Sequence, residues 1–335
     1  MIDFPRSLAA VHHRIDTFDP IHYARTRNFI DGGVSYLSPY LSRGFITITE
    51  IYRRLKNRGF SFSELDKFIQ ELAWREYYTK TWFRLGDGIF QDIRHPQEGV
   101  LHYGIPAALV HAQTGIQAVD SELAYFAQSG YLHNHIRMYI ASLTCNVAHY
   151  HWSAPATWMY YHLLDGDLAS NALSWQWCAA TFSNKPYYAN QENVNHFTRS
   201  EQRNTVIDCS YEDLPQLPVP DILKNGVDFK PQMPHIPFQI PHINTALPTF
   251  VIPIIPLIPI FIRGRRGIGF WSWSLLISGV FLCHPIRYNL SWIWLPRFQT
   301  YRFIMENMQI WVSREYLETI LSMLIFEGKG KLILF

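Results

Sequence analysis

Residues 114–178 read TGIQAVDSELAYFAQSGYLHNHIRMYIASLTCNVAHYHWSAPATWMYYHLLDGDLASNALSWQWC. Three pieces of this stretch decide the fold: HNHIRM at 133–138, LLDGDLASN at 163–171 and SWQWC at 174–178. From His133 to about Tyr150 apolar residues recur at helical spacing with no Pro or Gly between them, which predicts a helix. Asn134, Arg137, Met138 and Ala141 then share one face, because positions three and four apart are neighbours on a helix. An amide, a guanidinium and a thioether beside a small residue make a poor packing stripe and a good pocket wall. An Arg137–Asp165 ion pair that serves only the core is the plainer alternative; such a pair is costly to desolvate and weak evidence for stability. With Asp167, Asn171, Trp175 and Trp177 close by, the set suits a flat, polar, aromatic cofactor. Acids and amides meet its ring NH and carbonyl groups, Arg offsets negative charge and Trp stacks.

These motifs resemble the FAD-binding helical domain of DNA photolyases and cryptochromes, whose pattern runs approximately TGxPxVDAxMRxLxxTGWMHNRxRM and then LIDGDxAxNxGxWQWxA. The resemblance extends from about residue 20 to about 200, with several motifs in the same order. It implies an all-α fold, FAD as cofactor, and light-driven electron transfer to cyclobutane pyrimidine dimers in DNA.

The resemblance also implies residue roles, motif by motif. GGVSYLSPYL at 32–41 is similar to GTSRLSPYL, which assigns Ser35, Leu37 and Ser38, with Tyr23 upstream, to the FAD diphosphate. Val34 stands where the family has Thr and removes one hydroxyl. Read without the family, a Gly-containing turn with hydroxyls before Pro39 offers donors to a phosphate but most often merely turns. Arg137, Asp165, Asp167, Asn134 and Asn171 are assigned to the flavin, with Asn171 facing N5. A neutral amide there suits a reduced cofactor. ELAWREYY at 71–78 resembles ELxWREFY, so Glu71 and Trp74 join Asn134, Met138 and Trp177 in lining the lesion pocket. On the residues alone, an exposed Glu71–Arg75 helix pair is the stronger reading of that segment. Trp175 and Trp152 match the first two members of the electron chain that photoreduces FAD. No Trp falls near residue 99, where a third would stand, although Tyr103 is close. His135 replaces a family Arg, altering contacts near the phosphates or the adenine end. His133 and His135 lack a third ligand at usable spacing, so no zinc site is read there.

Elsewhere Ser63 with Asp66 resembles a helix start. A basic helix over 45–59 stops at Gly59, and its charge run reads as a solvated face rather than a DNA contact. Residues 86–113 read as a loop over the domain, and TGIQAVDSEL opens a helix with Asp120 early in it.

The chain has 335 residues, 16% aromatic, with a formal net charge of +2, so composition alone does not mark a nucleic-acid binder. The four Cys show no CxxC spacing and read as reduced thiols of a cytoplasmic protein, and MIDFPRSLAA lacks a secretory pattern. No strand–helix alternation precedes residue 20, so the family's N-terminal antenna domain is expected to be missing, with a separate antenna protein as one partner. A monomer is expected.

Two domains are expected: the helical FAD-binding domain over 1–205 and a Pro-rich, apolar tail over 206–335. The tail carries PHIPFQIPHI and VIPIIPLIPIF and has no acidic residue between Asp228 and Glu306. It reads as an irregular segment, out of frame or degenerated, and its run GFWSWSLLISGVFL is short of a membrane span. The rival to dimer repair is a cryptochrome-like photoreceptor or a flavoprotein that binds FAD without repairing DNA. A nonfunctional fragment is a further rival.

Overall fold

The computed structural model describes residues 2–231 and, beyond them, the backbone of seven short strands; the chain divides at Pro231 and Gln232 into two units. The first unit is helical. Its elements are α1 (Leu8–Thr17), α2 (Pro20–Thr26), α3 (Ser38–Ser42), α4 (Ile48–Asn57), α5 (Phe62–Leu85), α6 (Ala107–Val110), α7 (Gln117–Ser129), α8 (Asn134–Ser142), α9 (Ser153–His162), α10 (Leu168–Cys178), α11 (Gln191–Thr198) and α12 (Asp221–Lys224). One two-residue pairing, β1 (Ile105–Pro106) with β2 (Gly226–Val227), fastens the end of this unit. In the second unit the backbone forms antiparallel pairs β3 (Ile262–Gly264) with β4 (Gly267–Gly269) and β8 (Ile325–Glu327) with β9 (Lys331–Ile333). A three-stranded sheet joins β5 (Trp292–Leu295), β6 (Thr300–Met305) and β7 (Met308–Ser313). The remaining tail motifs read from sequence lie outside the described residues.

Residues 206–231, which the sequence groups with the tail, pack on the helical unit: Ile207, Leu214 and Leu223 are each buried there. The helical unit therefore runs on past 205.

Two apolar clusters fill this unit. One gathers Val11, Ile15, Ile51, Leu55, Leu65, Phe68 and Leu72 from α1, α4 and the first half of α5. The other is built on α7–α10, with Tyr78 and Trp82 of α5 against it. The 24-residue α5 thus serves both, and it packs on α2 and α10. Its start is a capping box. Ser61 accepts from the Glu64 amide and the Glu64 carboxylate accepts from the Ser61 amide. The helix begins two residues before the Ser63–Asp66 start read from sequence, because only Ser61 has Glu at the third following position.

The helix expected from His133 to about Tyr150 is α8 followed by one buried π-turn, Leu143–Val147, closed by the Ala148 amide donating to the Leu143 carbonyl at 2.8 Å. Asp120 accepts from the Thr114 and Gly115 amides and the Thr114 hydroxyl, fixing the entry to α7. Gly32 is required where it stands: a Cβ would lie 2.0 Å from the Thr26 carbonyl oxygen.

Ser61→Ala should destabilise the helical unit by about 1 kcal/mol, measured by urea denaturation followed through helical circular dichroism. No change would mean that the cap is redundant with the packing of Leu65 and Phe68.

Candidate functional site

Asp165 sits at the centre, on the turn between α9 and α10, with its side chain 5% exposed. Arg137 of α8 donates from Nη2 to both its carboxylate oxygens at 2.9 Å and from Nε to the Leu132 carbonyl at 2.8 Å. Ser38, at the start of α3, hydrogen-bonds the same carboxylate. Burial pushes the Asp165 carboxyl up, but Arg137, Ser38 and the more distant Arg75 outweigh it and hold it below the usual carboxylate range. Three segments distant in sequence therefore meet on one acid. The Arg137 side chain stays 24% exposed, so its charge remains available to a ligand beside it.

Asp167, two residues on, caps α10 by accepting from the Ser170 amide at 2.8 Å and takes Arg75 of α5 at 2.9 Å. The sequence placed it at the cofactor; its contacts here lock α10 onto α5. Asn171 donates to the Ala156 carbonyl at 2.9 Å, tying α10 to α9. Asn134 is exposed and its amide lies 3.9 Å from the Met138 sulfur, one helical turn on.

The turn before α3 is closed largely on itself. The Gly33 amide donates to Thr26 Oγ1 at 2.9 Å, Ser35 Oγ accepts from the Leu37 amide at 3.4 Å, and Leu37 is 1% exposed. Tyr23 packs its ring against Phe18 and Phe68. Burial and the Glu71 carboxylate push its phenol up to about 12, against the pull of Arg27.

The Glu71–Arg75 helix pair that the spacing suggests is not how these side chains are used. Glu71 takes Arg27 of the α2 end at 2.7 Å and Arg75 takes Asp167. Trp74 is 48% exposed beside Tyr77 and Tyr78, and Trp177 is 43% exposed beside Tyr187. Trp175 and Trp152 are each 2% exposed in the larger cluster, and Trp152 Nε1 donates to Asp92 at 2.7 Å. Arg27 and Asp92 are the partners that sequence reasoning missed, and neither carries a local pattern; Arg75 was read as the partner of Glu71 and pairs with Asp167 instead.

His133 and His135 tie α8 to α2. The His133 Nδ1 accepts from the His135 amide, its ring hydrogen-bonds the Arg27 backbone, and His135 Nδ1 lies 2.8 Å from the Asn28 carbonyl. Burial, with nearby His135 and Arg137, drops His133 to about 4, so its imidazole is neutral at pH 7. Among the described residues no group of three His, Cys, Asp or Glu side chains is placed to hold a metal, and no helix is long and apolar enough to cross a membrane.

The donor set fits a flavin dinucleotide. It comprises a guanidinium pinned by a buried acid and side-chain amides on α8 and α10. Comparison with known proteins agrees. Residues 68–209 match the family model described as the FAD binding domain of DNA photolyase. The chain is 31% identical over 169 residues to a deoxyribodipyrimidine photo-lyase of Synechococcus, covering 48% of this chain and 35% of that protein. The corresponding protein of Halobacterium salinarum is 28% identical over 224 residues, covering 62% and 46%. The chain thus spans between a third and a half of these two curated relatives. Among solved structures, a Synechocystis cryptochrome superposes with TM-score 0.54 at 22% identity, over 58% of this chain and 44% of that one. An archaeal photolyase from Sulfolobus tokodaii superposes with TM-score 0.50 at 21% identity over the same shares. Those likenesses carry the helical fold.

Arg137→Ala should cost about 3–5 kcal/mol at pH 7, because it strands a buried carboxylate, and clearly less near pH 4, where Asp165 can take a proton. Urea denaturation at both pH values checks this, and equal losses would remove the charge from the explanation. His133 adds a second pH signature. Its folded pKa of about 4 lies below the ordinary 6.5, so the unfolded chain binds the proton first and stability falls as pH drops through that window. The loss reaches up to about 3 kcal/mol, and His133→Gln should flatten the slope between those limits.

Proposed function

We propose that this chain, whose residues 68–209 match the FAD-binding domain of DNA photolyases, repairs cyclobutane pyrimidine dimers in DNA by light-driven electron transfer. The observation that carries the reading is the pair of half-exposed indoles, Trp74 on α5 and Trp177 on α10, on two helices that pack together. Large rings left in water beside a cofactor site favour a flat, apolar guest. A dimer flipped from the stack is such a guest, and damage lowers the cost of flipping it.

FAD, when bound, supplies the photochemistry, namely excitation and one-electron transfer to the lesion. The chain's residues do the rest. Arg137, held by Asp165, places a positive charge where a reduced, anionic ring would lie. Ser35, Leu37, Ser38 and Tyr23 are assigned to the phosphate side, and Asn134, Asp167 and Asn171 to the ring. Glu71, Met138 and Asn134 join the two indoles around the dimer, and Trp175 and Trp152 carry electrons inward. In this reading the protein acts as a cytoplasmic monomer on DNA.

A photoreceptor that holds FAD without repair is the second reading. The Glu71–Arg27 bridge at 2.7 Å favours it, because the carboxylate meant for the lesion already has a cation. Glu71→Ala separates the two. Flavin content, read from the visible spectrum of the purified full chain, should be unchanged while dimer repair under blue light falls about tenfold or more, the worth of a charged hydrogen bond. Unchanged repair would remove Glu71 from the pocket. A flavin-loaded wild type without repair would leave the photoreceptor, and a chain that takes up no FAD would overturn both.

A further inference from the structure

We infer that Asn146 positions the indole of Trp177 by pinning both ends of the loop over residues 179–186; its consequence for dimer binding rests on the repair reading just proposed. Trp177 is the residue before the end of α10 and is 43% exposed, so little packing fixes its ring. The ring lies against that of Tyr187, at 5.8 Å between centroids and 37° between planes. Tyr187 stands just past the far end of the loop, so the place of the indole depends on how the two ends are joined. They are joined at one point. The Tyr187 amide donates to the Cys178 carbonyl at 3.0 Å, and the side-chain amide of Asn146 donates to the Cys178 carbonyl at 3.0 Å and to the Tyr187 carbonyl at 2.7 Å. One NH2 group thus bridges the entry and the exit of a compact surface loop whose ends meet.

Asn146 belongs to the buried π-turn Leu143–Val147 and is 8% exposed. A neutral amide supplies two donors there without burying a charge. An apolar side chain of that size would leave the Cys178 carbonyl with the Tyr187 amide alone and the Tyr187 carbonyl without this donor. The entry half of the loop has support of its own. The Gln176 carbonyl accepts from the Thr181 and Phe182 amides at 3.0 and 3.2 Å, and its side chain bonds Thr181 and Ile89. The exit half has less. Asn184, Lys185 and Pro186 are exposed, and Ser183 Oγ donates to the Trp177 carbonyl at 2.7 Å. Beyond the exit the Ala189 amide donates to Ser142 Oγ of α8 at 3.2 Å. The end of α8 and its π-turn therefore hold the exit of the loop and, through Tyr187, the Trp177 ring. Without the clamp Tyr187 withdraws and the indole samples several directions. A ring already held in one direction binds a flat guest without first losing that freedom. Asn146 touches no guest itself and is a positioning residue.

A double-mutant cycle tests this on the full-length, FAD-loaded protein with a thymine-dimer oligonucleotide under blue light. Asn146→Leu keeps the bulk of the side chain and removes both donors. It should raise KM about tenfold, the worth of a hydrogen bond or two, with kcat and flavin content unchanged. In a Trp177→Ala background the same substitution should add nothing, because Asn146 acts through that ring. A merely structural Asn146 would cost as much in both backgrounds; that result, or an unchanged KM, would overturn the inference. Asn146→Ala carries the same cycle if Asn146→Leu does not fold. Hydrogen exchange of the same proteins in the dark should speed up at the Tyr187 amide and leave α7 as it is. If the wild type repairs no dimer, the repair reading fails, and exchange alone decides the clamp on Tyr187 and hence on Trp177. Faster exchange at Tyr187 in Asn146→Leu supports it there, and identical exchange rejects it.

Discussion

A buried carboxylate is an expensive object, and the helical unit is arranged around one. Asp165 has left water almost completely, and it stays ionised because Arg137, Ser38 and Arg75 supply more than burial removes. No two of these partners come from the same helix, so the acid is satisfied only when α3, α5 and α8 have all arrived. Arg43 reaches the same turn by donating to the Leu164 carbonyl, and the Leu164 amide donates to the Gly130 carbonyl at 2.7 Å. A hydrophobic residue at 165 would fill the space at lower cost in desolvation. Charge that could have been dispensed with, yet is fixed to within a hydrogen bond, is what a polar ligand requires of its host.

The helix α5 gives this centre its second axis. Its early turns bury Leu65, Phe68 and Leu72 in one cluster, its later turns send Tyr78 and Trp82 to the other, and Arg75 clamps α10 through Asp167. The face between them is left to Trp74 and Tyr77, about half in water. An element fixed on two sides presents its third side rigidly, which is how a helix can hold large rings in solvent without their collapsing onto the core.

Much of this was legible in the chain. Arg137 and Asp165 could be paired from HNHIRM and LLDGDLASN because a guanidinium on a helix face with an amide and a thioether needs an acid, and α8 comes directly from its spacing. The partners of Glu71 and Arg75 were not legible. Helical spacing offers them to each other, and only the folded chain brings Arg27 and Asp167 within reach, the latter across 92 residues. Asp167, which the resemblance assigns to the flavin, also caps α10 and takes Arg75, contacts that its motif did not announce. The Ser61 cap was missed for a smaller reason: two serines compete in SFSELD, and the glutamate three residues on decides between them.

The π-turn at Leu143–Val147 has a bearing on how this chain can change. One extra residue is accommodated there with every side chain buried, and the downstream segment carrying Trp152 starts from the rotation this insertion sets. Deleting a single residue in the turn would remove the extra residue and change the direction in which the chain leaves α8, by up to about 100° for a regular helix. The α8 wall that carries Arg137 lies before this irregularity in the chain and the Trp152–Asp92 contact lies after it, so one buried turn sets the geometry of the second relative to the first.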